Sequence, residues 1–428
     1  MRSPQLSILL PNYNHARFLP KCIESSLDQS FRDFELIVVD DASTDESWSL
    51  LEEYTRRDSR IRLHRNERNM GVNATLNRAL ALARGKYVHG ASADDFIRPG
   101  YYEAAFAMFE RYPQAAVCVG RTRLVRDFNP VPEFVPDMWA NEPTYLTPNE
   151  LARRMTGCGI PGPALWRREP FQQLGGYDPE LRWHSDWFAI HVIAFRHGIC
   201  FLPDEYTVVR LASDSYSNAN ARPPGAQEKA LHHLLNRLRS PETRDVLPLF
   251  EASGVLRNFG NELVEAALTY DQPLNDLATV LKPHVAPLVP HLLHARSPAL
   301  RAGAARFVAL FGGEFLALDD ALAVRENDPE PSVVAAAAAA RRAFRADASS
   351  FTLMKRRLRK AVGRILRRLD RRSRPLLHDR LDHLEQLVVT LSQQQQDMRT
   401  ELMGLLRSLG GRMDALAQDL DADASRRA

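Results

Sequence analysis

Residues 87–96 read YVHGASADDF, a short strand pattern that runs straight into two adjacent carboxylates, Asp94 and Asp95. Tyr87 and Val88 suit a pleated strand, and Asp-Asp followed by Phe96, Ile97, Pro99 and Gly100 suits an exit loop and the start of a helix. In an open α/β sheet the carboxyl edge of the strands is where ligands bind. Two hard oxygen donors there suit a divalent ion shared with a phosphate group. An isolated Asp-Asp pair is also compatible with a solvated turn, so the reading depends on what the neighbouring strands bring to the same edge.

Working upstream, residues 6–10 (LSILL) and 34–39 (FELIVV) are continuous apolar runs, closed by Pro11-Asn12-Tyr13-Asn14 and by Asp40-Asp41-Ala42-Ser43-Thr44-Asp45. Between them, Pro20 to Gln29 has helical spacing, with Cys22, Ile23, Ser26 and Leu27 on one side. This is a β-α-β unit expected to close right-handed into a parallel sheet. The pattern repeats: a helix from Asp45 to Arg57 with Thr44 or Asp45 as its cap, a strand at Ile61–His64, a turn at Asn66–Gly71, and a helix from Val72 to Ala83 that leads into Tyr87. Three strands therefore end in polar clusters on one edge, which predicts an α/β nucleotide-binding fold.

Composition sets the outer bounds. The chain has 428 residues, 45% of them hydrophobic, room for two or three domains. The net charge of +3 is unevenly placed: residues 346–428 hold 17 Lys/Arg against 11 Asp/Glu, leaving the remainder at −3. Cys22, Cys118, Cys158 and Cys200 form no C-x-x-C pair, which argues against a zinc ribbon or disulfide framework and fits a reducing compartment. No secretory signal and no run of 18 apolar residues is visible, so a cytoplasmic location is expected.

P-N-Y-N after the first strand, V-D-D-A-S-T-D after the second, N-x-G-x-N-x-x-x-N before the fourth and S-A-D-D at its end together resemble a family 2 glycosyltransferase of the GT-A fold. The resemblance runs from about Leu6 to about Ser217. It implies an inverting transfer from a nucleotide-sugar donor assisted by a divalent metal, Mg or Mn, which stabilises the leaving diphosphate. By the resemblance, Asp94 is the metal ligand with Asp95 beside it. Asp40 would bond the base and Tyr13 would stack near the nucleoside, with Pro11, Asp41, Ser92 and Arg210 completing the donor site. Asn69, Asn73 and Asn77 are expected to brace the turn rather than touch ligand. Two positions depart from the family: Ser92 stands where many relatives carry an Asp, and Ala212 where they often place a His.

Downstream, Pro99–Tyr112 reads as a helix and Ala115–Val119 as a strand, while 128–148 (including FNPVPEFVPDMW) has no clear period and reads as an irregular acceptor-side segment. Gly176-Tyr177-Asp178 closes a loop, and Asp186-Trp187 opens an amphipathic helix. In the family the carboxylate at that helix start is the general base; taken alone, a first-turn Asp is also an ordinary cap. Gly176, Tyr177, Asp178 and Trp187 are then the acceptor-binding candidates.

After a linker at 221–225, the stretch 226–345 is helical by pattern. SPALRAGAARF from Ser297 and EPSVVAAAAAA from Glu330 lie 33 residues apart, each with a proline at its start, which resembles HEAT-like pairs or an Ala-rich bundle. Residues 352–375 form a basic amphipathic helix by pattern, with 11 Lys/Arg against Asp370 between Leu353 and Arg374, suited to an anionic membrane surface. From 376 to 422, Leu377, Leu381, Leu384, Val388 and Leu391 open a heptad seam expected to self-associate as a coiled coil. Nucleic acid is excluded as a partner because no aromatics interleave the basic run. The expected organisation is a GT-A domain over 1–222 with a mostly parallel α/β sheet, then an α-helical domain, a basic helix and a coiled coil. The expected function is glycosyl transfer to a glycan or glycolipid acceptor on the inner face of the cell membrane, with Asp186 as base. A catalytically silent scaffold working through its coiled coil is the alternative that Ser92 and Ala212 keep open.

Overall fold

A computed structural model describes residues 3–126, 129–130, 139–155, 159–160, 163–211, 223, 225–270, 275–311, 315 and 318–344. The expected basic helix and coiled coil, the segment 131–138 and Ala212 lie outside them. The chain divides into two compact units, residues 1–286 and 287–428. The division falls inside the helical stretch read from the sequence as 226–345, so its first helices belong with the sheet.

The first unit opens with β1 (Leu6–Asn12), α1 (Leu19–Leu27), β2 (Phe34–Asp40), α2 (Ser47–Arg57), β3 (Ile61–Arg65), α3 (Val72–Leu82) and β4 (Tyr87–Gly90). It continues with β5 (Phe96–Ile97), α4 (Tyr101–Arg111), β6 (Val117–Arg126), β7 (Asn129–Pro130), β8 (Thr144–Leu146), α5 (Pro148–Met155), β9 (Ala164–Arg167) and α6 (Arg168–Gln173). Then come α7 (Ser185–His197), β10 (Ile199–Arg210), α8 (Ala226–Arg239), α9 (Leu247–Ser253), α10 (Gly260–Thr269) and α11 (Ala278–Val285). The sheet order is β3-β2-β1-β4-β9-β6-β10-β5, with β7 on β6 and β8 on β10.

The apolar runs read as strands form the parallel half of the sheet. Every residue of β2 is buried, as a central strand covered on both faces requires. Leu6, Ile8, Leu10, Leu36 and Val38 share a core with Leu19, Cys22, Ile23, Tyr102 and Phe106 from the covering helices. The parallel register places Asn12 opposite Asp40 and Asp40 opposite Arg65, so the polar clusters of β1, β2 and β3 end at one level. β4 extends the sheet parallel to β1. β9, which lies in a stretch without strand periodicity, enters antiparallel between β4 and β6. β10 returns parallel to β6 and delivers Arg210 to the same side. Cys22, Cys118 and Cys200 are free and buried.

The second unit contains α12 (Val289–Leu292), α13 (Pro298–Phe311), α14 (Asp319–Arg325) and a helix over 331–344. Prolines at positions 298 and 331 occupy the first helical turn, where a missing N–H costs nothing. Arg301 pairs with Asp328 through Nη2–Oδ1 at 2.8 Å and Nε–Oδ2 at 2.9 Å, tying α13 to the turn before 331–344. Among the described residues, no helix is long and apolar enough to cross a membrane.

Candidate active site

The carboxyl ends of β1, β2 and β4 turn outward together. Asn12 Nδ2 donates to Asp40 Oδ1 at 2.9 Å and lies 3.1 Å from Ser43 Oγ; Ser43 N–H and Oγ in turn serve Asp40 at 3.0 and 2.5 Å. Arg65 Nε lies 3.3 Å from Asp40 Oδ2. Asp40 is fully buried. Its oxygens are thus engaged by protein donors, and it acts on this edge by fixing Asn12, Ser43 and Arg65. Asp41 likewise turns inward: it accepts from Asn66 Nδ2 at 2.6 Å, from Met70 N at 2.8 Å and from Gly71 N at 2.9 Å. Gly71 has φ +86°, which glycine adopts without a steric penalty. Tyr13 stands exposed beside these loops. Asn14, at φ +55°, accepts from Thr44 N at 2.8 Å and so ties the loop after β1 to the loop after β2.

After β4 the chain turns through Ala91–Asp95. Ser92 is exposed; its carbonyl accepts from Asp95 N at 3.1 Å and from Cys22 Sγ at 3.2 Å. Asp95 is the inward member of the pair: its Oδ1 accepts the Arg210 N–H at 2.8 Å. Burial first, and the charge of Asp94 second, push its carboxyl up to about 7. Asp94 keeps the outward position, with Oδ2 3.2 Å from Arg210 Nε. Arg210 also lies 4.2 Å from the Phe18 ring centroid, an aromatic contact the sequence did not single out. Ser92, Asp94, Asp95 and Arg210, which the sequence nominated from positions more than a hundred residues apart, converge.

The acceptor-side loop is assembled from farther away. Asn77, on α3, donates from Nδ2 to Tyr177 O at 2.6 Å and accepts from Tyr177 N at 2.9 Å; Asn73 Nδ2 donates to Arg182 O at 2.8 Å. Their i, i+4 spacing puts both on one face of α3, where they clamp the loop of Tyr177 to His184. Gly176 sits at φ +74°, and a Cβ there would fall 2.6 Å from Asn77 Oδ1. The Tyr177 phenol rests against Gly90 at the end of β4, where an added Cβ would lie 2.4 Å from its hydroxyl. Burial first, and the nearby charge of Asp186 second, push that phenol well above the usual tyrosine range. Tyr177 therefore packs its loop against the end of β4.

Asp186 opens α7 and accepts its neighbour's N–H from Trp187 at 2.7 Å. It reaches solvent yet is ringed by protein, and that desolvation pushes its carboxyl above the ordinary carboxylate range against the pull of the helix-start N–H groups. Two acceptor-side candidates face elsewhere. Asp178 accepts from His233 Nε2 at 3.0 Å and from Arg237 Nη1 at 2.9 Å, both on α8. Trp187 packs its ring against His191, Phe259 and Phe250, with centroids 4.4, 4.7 and 6.1 Å away.

Among the described residues, no three His, Cys, Asp or Glu side chains gather as a metal cage. Asp94 fits a divalent ion in another way. It is a hard oxygen ligand at the cleft, and such ions are commonly held by one or two carboxylates, with substrate phosphates and water filling the rest.

A parallel-led sheet whose acidic strand ends share one edge has the architecture of an α/β nucleotide-binding fold. Residues 7–175 match the family model described as glycosyl transferase family 2. Chondroitin synthase of Escherichia coli is 34% identical over 110 residues, 26% of this chain and 16% of that protein. The putative glycosyltransferase EpsE of Bacillus subtilis is 33% identical over 175 residues, 41% of this chain and 60% of that protein. The chain thus spans less than two thirds of the length of these curated relatives. The S. aureus TarS 1–349 structure in complex with UDP-GlcNAc shares the fold, with a TM-score of 0.51 and 16% identity over 81% of this chain and 92% of that one.

Proposed function

We propose that this protein is an inverting glycosyltransferase that moves a sugar from a nucleotide-sugar donor to an acceptor hydroxyl. The observation that carries the reading is the convergence of Asp94, Asp95 and Arg210 at the loop after β4, with Tyr177 packed on Gly90 of the same strand. In this reading the loop after β4 is the diphosphate-binding edge and Asp186, at the start of α7, is the base. The name of the chondroitin synthase relative supports a polysaccharide acceptor.

In this reading Asp94, with Asp95 behind it, would hold a divalent ion, which when bound supplies Lewis-acid stabilisation of the departing diphosphate. Arg210 adds a positive charge to the same oxygens and, with its backbone N–H, keeps Asp95 turned inward. Tyr13 offers an exposed ring to the base, and Asp40 and Asp41 hold rigid the loops that frame it. Asp186 takes the acceptor proton as the new C1–O bond forms. A hydroxyl is a poor nucleophile while protonated, and a carboxylate whose pKa is raised is a better-matched base than an ordinary one.

A second reading, a silent scaffold, is favoured by the Asp94–Arg210 ion pair and by Ser92. Calorimetry with UDP and GDP in the presence of Mn²⁺ separates the two. The enzyme reading expects binding, and Arg210→Met is expected to weaken it roughly 10- to 100-fold, the worth of a charge-assisted hydrogen bond. Absent binding by the intact chain would favour the scaffold. Peripheral membrane attachment through 352–375 and self-association through 376–422 belong to the same proposal, supported by the basic charge and the heptad seam. The full chain should bind anionic vesicles and a chain ending before Thr352 should not; equal behaviour of the two would remove the attachment.

A further inference from the structure

The loop that carries Asp186 is gripped from a second side, by a helix beyond the segment matched by the family model. Gln227, in the first turn of α8, accepts at Oε1 from Trp183 Nε1 at 2.8 Å and lies 3.0 Å from His184 Nε2; its own Nε2 donates to Glu262 Oε2 on α10 at 2.7 Å. An indole N–H can only donate, which fixes the orientation of the Gln227 amide and requires His184 to carry its proton on Nε2. One turn and more along α8, His233 and Arg237 hold Asp178. Between these grips Arg182 takes φ +54°, a conformation that a side-chain-bearing residue keeps only where its surroundings over-determine it. The next residues, Trp183 and His184, lead directly into Asp186.

We propose that α8 sets the position of the catalytic base, with Gln227 and His233 as positioning residues, so that the helical segment after the sheet is part of the catalytic machinery. The inference rests on the reading of Asp186 as the base. The carboxylate has no side-chain partner of its own among the described residues; its place is set by the backbone, and the backbone by the grips on Asp178, Trp183 and His184. Loosening one grip should misplace the base while leaving the edge formed by β1, β2 and β4 intact. A misplacement of about an ångström is enough to lower a rate by roughly a hundredfold.

The test uses the full chain. Gln227→Leu should raise amide hydrogen exchange across residues 177–186 at least tenfold relative to 87–97. It should lower kcat for release of UDP or GDP from a panel of UDP-GlcNAc, UDP-glucose and GDP-mannose by about 10- to 100-fold, and leave UDP affinity within twofold. Pairing Gln227→Glu with Glu262→Gln restores an acceptor toward Trp183 and His184 and a donor toward the new carboxylate, and should recover most of the rate. Unchanged exchange in 177–186, an unchanged kcat, or a parallel loss of UDP affinity would each overturn the proposal. Should Gln227→Leu fail to fold, His233→Leu asks the same question from the Asp178 end. Turnover surviving in Asp186→Asn would instead sink the base assignment, whatever Gln227 does.

Discussion

Asp186→Asn is expected to lower sugar transfer by about 10²- to 10⁴-fold, the range a positioned general base contributes, while UDP binding in the presence of Mn²⁺ stays within a factor of two. The amide keeps the shape and can still accept the Trp187 N–H, which removes the proton acceptor without removing the helix-start contact. The pH dependence follows from the same carboxyl. Transfer needs Asp186 ionised, so the rate falls on the acid side. Because its surroundings raise its pKa, that acid limb lies above the position of an ordinary aspartate. Turnover of the Asn variant at more than a tenth of the native rate would remove Asp186 from its role.

His89→Leu is expected to change the pH dependence of stability by about 2 kcal/mol between pH 7 and pH 4.5. His89 and His191 are both buried, and burial lowers each to about 4 from 6.5. The unfolded chain takes up a proton near 6.5 that the folded chain refuses until about 4. Stability from each histidine is therefore fully present above 6.5 and is lost as the pH falls toward 4. Asp95 works in the opposite direction: its carboxyl is raised to about 7, so the folded state gains relative stability as the pH falls through that value. The opposition makes the net profile shallow and puts the signal in the variants. Urea unfolding at the two pH values checks it: His89→Leu should lose less stability on acidification than the native chain, even if it is weaker at pH 7. An unchanged difference would show that His89 titrates normally in the folded state. A shift of this size matters against the 5–15 kcal/mol that holds a domain together.

The parallel half of the sheet was legible because each strand is a short apolar run closed by a polar turn, and burial on both faces demands that pattern in β1 and β2. The resemblance nominated Asp94, Asp95 and Arg210 from distant stretches, and the sheet brings them into contact because β4 and β10 end at neighbouring loops. β9 was not, because Ala164–Arg167 is four residues long with a terminal Arg, too short to show a period, and its place between β4 and β6 is set by pairing across the sheet. The inward roles of Asp40, Asp41 and Asp178 were hidden for a related reason. A carboxylate in a motif reads the same whether it faces ligand or protein, and only the partners decide: Ser43 and Arg65, Met70 and Gly71, His233 and Arg237. The bracing role expected of Asn73 and Asn77 could be read from turn chemistry. Their target, a loop about a hundred residues later, could not. Gln227 carried no signal at all, since a polar residue in the first turn of a helix is ordinary.

The central claim is that the acids at the strand ends and the carboxylate at the start of α7 serve one bound donor. A crystal structure of the chain soaked with UDP and Mn²⁺ tests it most directly. The diphosphate is expected beside Asp94 and Arg210, the nucleobase near Tyr13, and Asp186 facing the same cleft. UDP bound away from that edge, or Asp94 and Asp186 opening into separate cavities, would contradict it.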